Sequence, residues 1–132
     1  MTAASLEEIR NWCEVAAKAA SDKQGEDPVI LVVTELLGIT DAFVITSGSS
    51  DRQVRTIAEE VEAAVKRAGG PAPLRVEGLD DARWVLMDYG DFVVHVFLGE
   101  ARRFYELEHL WANAPRWDFH DNGPMAATVA AD

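Results

Sequence analysis

The run Phe92 to Phe97, Phe-Val-Val-His-Val-Phe, does most to limit how this chain can fold. Rich in β-branched and aromatic residues, it reads as a strand, and side chains alternate across a strand. One set, Phe92, Val94 and Val96, is wholly apolar and must face a layer of helices. The other set, Asp91, Val93, His95 and Phe97, is mixed. Just upstream, Trp84 to Asp88 offers a second strand, and the tight Tyr89-Gly90 link makes residues 84–97 a hairpin.

The helices that the apolar set needs are legible elsewhere. Ser5 and Glu8 form a capping-box pattern, after which Leu6, Ile9, Cys13, Ala16 and Ala20 recur at helical spacing to about Ser21. The stretch Asp22 to Pro28 breaks that helix. Val29–Leu36 reads as a strand, and Ala42–Gly48 as another. Ser50 and Gln53 make a second capping-box pattern. Val54, Ile57, Ala58, Val61 and Val65 mark one helical face, closed by Gly69, Gly70 and Pro71. Leu74 to Gly78 is a short strand candidate. Beyond the hairpin, Gly99–Trp111 reads as a third helix with Phe104, Leu107 and Trp111 on one face, stopped by Pro115. The order α-β-β-α-β-β-β-α predicts a single α/β domain over residues 1–117. Its mixed sheet has about five strands flanked by helices, in an order the sequence leaves open. Residues 118–132 show no periodic apolar face and are expected to form a frayed tail.

The hairpin register decides which side chains emerge. A two-residue turn at Tyr89-Gly90 pairs Asp88 with Asp91 and Trp84 with His95. Val85 and Met87 then join the core, and Trp84, Leu86, Val93 and His95 form an acid-edged apolar patch on the opposite face. Tyr is a poor occupant of a positive-φ position, so a bulged loop with Gly90 left-handed competes, and that slip would bury Trp84 and Leu86. The first register is preferred because it gives both sets of the strand a coherent role. The patch has three readings: another layer covers it, a partner docks on it, or it is catalytic. Aromatic anchors beside acids suit a basic protein partner. Asp88, Asp91 and His95 could in principle ligate a metal, but acids bracketing a turn are common for backbone reasons.

Charge narrows the partner. The 132 residues carry a formal net charge of -11, which repels bare nucleic acid and favours a basic partner, or serves only solubility. The single cysteine, Cys13, excludes an internal disulfide and lies on an apolar helix face, as a structural thiol does. An acidic N-terminus without an apolar signal core, and no run long enough to span a bilayer, lead us to expect a soluble, cytoplasmic protein.

Signals of chemistry are weak. Ser47 to Gln53 is a strand-to-helix turn suited to anions, yet it lacks the Lys and spacing of a P-loop and the glycines of a dinucleotide fingerprint. A nucleotidyltransferase has such a turn but also needs paired carboxylates on a neighbouring strand; Glu77 stands alone. His109 reads as a surface or boundary residue, His120 lies near the tail, and Arg102 and Arg103 read as a solvated face pairing with Glu106. No cofactor or metal is expected.

Three segments, Ile39 to Glu62, Trp84 to Phe97 and Glu100 to Trp111, together resemble the ribosomal silencing factor family, also called Iojap or RsfS. The likeness runs from the first helix to about Trp117. It implies a nucleotidyltransferase-like α/β fold without transferase chemistry. It also implies binding to the large ribosomal subunit through its ribosomal protein fourteen, blockade of small-subunit joining when nutrients are short, and a homodimer when free. The family's contact surface uses the hairpin, so the resemblance carries Trp84, Leu86, Asp88 and Tyr89 over as partner-binding residues, with Asp91 and His95 beside them. Arg102 and Tyr105 match the third-helix motif. The chain departs from the family at Ala42, where an aromatic is usual, and at Glu35, where Asp is. The rival expectation is a metal-dependent, nucleotide-binding or nucleotidyltransferase-like enzyme.

Overall fold

The computed structural model describes residues 4–34, 40–110 and 112–117. The expected strand end at Glu35 and Leu36, the helical Trp111, His120 and the tail 118–132 lie outside them. The elements, in chain order, are α1 (Leu6–Asp22), β1 (Glu26–Val32), β2 (Ala42–Gly48), α2 (Asp51–Arg67), β3 (Arg75–Glu77), β4 (Trp84–Asp88), β5 (Phe92–Leu98), α3 (Gly99–Tyr105) and α4 (Leu107–Leu110). The sheet order is β1-β2-β5-β4-β3. Among the described residues only β2 and β5 run parallel; the other neighbours are antiparallel. The expected single α/β domain with a five-stranded mixed sheet is what forms.

Local chemistry explains most boundaries. Ser5 Oγ accepts from Glu8 N at 3.1 Å while the Glu8 carboxylate accepts from Ser5 N at 3.0 Å, so the first capping box closes in both directions. The second does not. Ser50 Oγ accepts from Gln53 N, but Gln53 turns its amide outward: Oε1 accepts from Ser49 N and Nε2 donates to Lys23 and Gln24 carbonyls. Gln53 thereby ties the start of α2 to the end of α1.

β1 begins three residues earlier than its β-branched run suggests, inside a stretch that reads as a breaker. Asp27 takes a positive φ of 44° at a register shift between Glu26 and Val29, a β-bulge, and Pro28 is tolerated because β1 lies at the sheet's flank. That flank is then covered: Val32 N donates to Pro115 O, Trp117 N to Ile30 O, and Leu31 bridges Arg116.

The expected third helix is two. Glu106 sits left-handed at φ 47° and separates α3 from α4, which rotates Phe104 out into solvent, 77% exposed, while Leu107 is buried. The expectation that Phe104 and Leu107 share a packed face is therefore corrected.

Phe92, Val94 and Val96, with Val85, Met87, Ile30 and Val44, pack under α1 and α2. Burying such side chains is worth about 1.5–3 kcal/mol each. The opposite face carries Leu31, Val33, Phe43, Ile45 and Phe97, with Ala101, Leu107 and Ala114 over part of it. Beyond that partial cover, around β4 and β5, the face opens into a groove.

Candidate docking groove on the sheet

The hairpin turn is Gly90-Asp91, not Tyr89-Gly90. Tyr89 N donates to Phe92 O at 2.9 Å, and Gly90 has φ 85° at the first central position, as a type II′ turn asks. Trp84 therefore pairs with Phe97 and Leu86 with His95, and Asp88 faces Val93. The expected Asp88–Asp91 and Trp84–His95 pairings are corrected by two residues. Two is an even shift, so every side chain keeps its face: Val85 and Met87 are in the core, and Trp84, Leu86, Val93 and His95 share the other side.

Tyr89 leaves the group. It is 5% exposed, lies on the helix side and stacks on Phe92 with centroids 4.5 Å apart. Among the described residues its hydroxyl has no partner, and burial, then the Glu62 charge, push its pKa above the ordinary phenol value. A side chain so enclosed on the helix side does not share the face that carries Trp84, Leu86 and His95.

Trp84 is half-buried. It stacks on Phe97 at 5.0 Å and packs beside Tyr105 at 4.7 Å, and its Nε1–H donates to His95 Nδ1 at 3.0 Å. His95 is 4% exposed and meets Phe43 edge-on at 4.7 Å. Burial pushes His95 down to about 4 from its ordinary 6.5, so the ring is neutral near pH 7. Because Nδ1 accepts, the ring proton is on Nε2, and Nε2 is buried without a partner among the described residues. An orphaned buried donor costs about 1–3 kcal/mol.

The groove holds about 370 Å³, with Phe43, Leu86, Val93 and His95 among its walls and Thr40, Arg75, Asp88 and Gly90 at its rim. Asp88 Oδ1 accepts from Gly90 N at 2.8 Å and Oδ2 lies 3.4 Å from Arg75, so this acid both sets the turn and edges the groove. Asp91 is exposed at the turn tip, and its carbonyl accepts from Asp41 N. Asp88, Asp91 and His95 do not converge: among the described residues no three His, Cys, Asp or Glu side chains gather to hold a metal ion.

The local charge pattern misplaced Arg102. Instead of a solvated face it has an 11% exposed side chain. It donates to Glu26 O, Asp27 O and Ser47 Oγ and forks onto Glu108 at 2.9 and 3.1 Å. It thus clamps the β1 bulge to α4. Two of its four partners are carbonyls 76 and 75 residues away, which leave no local signal. A polar cleft of about 610 Å³ lies here, at the carboxyl ends of β2 and β5, lined in part by Ser47, Gly99 and Arg102. His109 pairs with Glu106 at 3.7 Å on the surface.

Comparison with known proteins agrees with this architecture. The model of the family described as ribosomal silencing factor during starvation matches residues 6–132. The ribosomal silencing factor RsfS of Bacillus subtilis (strain 168) is 43% identical over 105 residues, covering 80% of this chain and 88% of that protein. RsfS of Halalkalibacterium halodurans is 42% identical over 102 residues, covering 77% and 86%. A crystal structure of a Chromobacterium violaceum protein superposes with a TM-score of 0.75 at 32% identity, covering 89% of this chain and 98% of that one. The chain belongs to the ribosomal silencing factor family. Among the described residues no helix is long and apolar enough to cross a membrane.

Proposed function

We propose that this protein docks on the large ribosomal subunit through that subunit's ribosomal protein fourteen. By occupying that surface it keeps the small subunit from joining and represses translation when nutrients are limiting. Family membership supports the ribosomal assignment. The observation that carries the docking surface is the apolar groove on β4 and β5, where Leu86 and Val93 supply desolvated contact, Asp88 and its partner Arg75 form part of the edge, and Asp91 stands exposed at the turn tip. A net charge of -11 favours the same partner. Trp84 lies outside the groove's lining and contributes by holding His95 through its indole N–H. We place the protein in the cytoplasm, as a homodimer when free, with no enzymatic role.

Purified large subunits, incubated with the protein and sedimented, should carry it down, and excess protein should suppress formation of joined ribosomes from separated halves. Leu86→Asp, which puts a charge into the groove from a half-buried position, should abolish both effects with an unchanged far-ultraviolet spectrum. Subunits that join equally well in excess protein would refute the proposal. Titration calorimetry with magnesium and each nucleoside triphosphate tests the enzyme alternative, which requires heat at the polar cleft near Ser47.

A further inference from the structure

The polar cleft at the carboxyl ends of β2 and β5 has no part in the docking reading. These two strands are the parallel pair, and the chain leaves them toward opposite faces of the sheet. After β2 it enters α2, which packs with Val94 and Val96; after β5 it enters α3, whose Ala101 packs with Ile45 and Phe97. Neighbouring parallel strands whose connections part in this way leave a crevice beyond their carboxyl ends, the place where open α/β sheets bind ligands. Here that crevice holds about 610 Å³, within the range of small-molecule sites.

Charge in the cleft selects the ligand. The Arg102 donors are committed to Glu26 O, Asp27 O, Ser47 Oγ and Glu108, and Glu106 stands beside His109. Arg103, Arg116, Glu26 and Asp27 also line the cleft, and among the described residues none of these four side chains forms an ion pair. Gly99 keeps the floor between two of them bare: a β-carbon there would lie 3.7 Å from Arg103 Nη1, 3.8 Å from Gly48 O and 3.9 Å from Glu26 Oε1. A guanidinium and a carboxylate thus approach one point, yet stand too far apart to pair with each other. We propose that this cleft binds a free α-amino acid as its zwitterion. The ligand's carboxylate bonds Arg103, its ammonium bonds Glu26 and Gly48 O, and the remaining volume takes its side chain. Hydrogen bonds of about 2.9 Å at both ends of such a molecule reach across the gap. Because the two groups approach one point, the ligand's two charges belong on one carbon, and two acceptors ask for a primary ammonium rather than a quaternary one. A plain anion would meet Glu26 and Asp27, and a plain cation Arg103 and Arg116; a ligand of both signs avoids either repulsion.

The test is nitrogen–proton NMR on the labelled full chain, titrated with each standard L-amino acid to millimolar concentration. We expect at least one of them to shift the amides of Gly48 and Gly99 and the Arg103 Nε–H together and saturably. Its N-acetyl and amide derivatives, each lacking one charge, should bind about tenfold more weakly, and so should the free amino acid to Arg103→Gln or Glu26→Gln. A β-carbon at Gly99 meets only ordinary contacts, so Gly99→Ala should fold with an unchanged thermal midpoint and still lose binding. Three results overturn the inference: no saturable shift with any amino acid, equal binding by the N-acetyl or amide form, or the same shifts produced as strongly by inorganic phosphate. None of them bears on the docking proposal, which the ribosome sedimentation tests separately.

Discussion

The indole nitrogen of Trp84 donates to Nδ1 of His95 across 3.0 Å, although the two residues are not cross-strand partners: Trp84 stands opposite Phe97 and reaches diagonally. That bond sets the tautomer of the histidine and helps hold the tryptophan beside Tyr105, the two rings tilted by 46°, so each residue governs what the other can offer.

Replacing the indole tests the pair. Trp84→Phe keeps the stack on Phe97 but removes the donor and leaves Nδ1 orphaned as well as Nε2. A loss of about 1–2 kcal/mol is expected in urea unfolding. Trp84→Ala should lose more, because the packing on Phe97 and Tyr105 goes too, so weaker ribosome binding by that variant would not separate contact from stability. Leu86→Asp is the cleaner probe.

Acid should destabilise the fold through His95. Its folded pKa, about 4, lies below the ordinary 6.5, so as pH falls the unfolded chain takes up a proton first. The stability tied to the neutral ring is complete above about pH 6.5 and is lost between there and pH 4, at up to about 1.4 kcal/mol per unit and roughly 3 kcal/mol in all. Urea midpoints measured from pH 7 to pH 4 should fall, and His95→Phe should flatten that part of the profile while starting from lower stability.

Arg102 should prove irreplaceable by lysine. Arg102→Lys keeps the charge but cannot reach two carbonyls, a hydroxyl and a carboxylate at once. A loss of about 2–4 kcal/mol is expected, approaching that of Arg102→Ala, which strands Glu108 without its partner. Hydrogen exchange should speed first at the β1 amides around the bulge.

Charge on the turn should act on encounter. Asp91→Lys alters an exposed tip and leaves the fold's hydrogen bonds intact, since only the Asp91 carbonyl is used. Association with large subunits should slow and lose much of its salt dependence, with the dissociation rate little changed.

Gly78 sits at φ 89°, and a β-carbon there would stand 2.1 Å from the Trp84 carbonyl oxygen. Gly78→Ala should displace the start of β4, detected as a drop in thermal midpoint and a shift in the indole NMR signal of Trp84.

Elements whose signals are local were legible: the α1 capping box, the α2 face and β2 follow from spacing alone. The hairpin faces were legible too, because an even slip preserves them, but the register was not. Asp88 to Asp91 contains one glycine that serves either of two turns, and the choice is made by Tyr89, which gains burial against Phe92 only in the second. The α3–α4 break was hidden because Glu106 is a poor left-handed residue; the Arg102–Glu108 fork and the burial of Leu107 hold it there. The groove's wall residues could be named from alternation, whereas the unpartnered Nε2 depends on a diagonal contact that no strand pattern encodes.

The bridge that Pro115 to Trp117 make along β1 has a consequence for life in a crowded cell. A bare flank of a sheet invites strands from neighbouring molecules, and repeated addition leads toward insoluble stacks. By laying its own later residues along β1, this chain stoppers one flank and leaves at the other only three residues, two of them charged. Cutting the chain before Pro115 would uncork the longer flank, turning a monodisperse preparation into one that clumps.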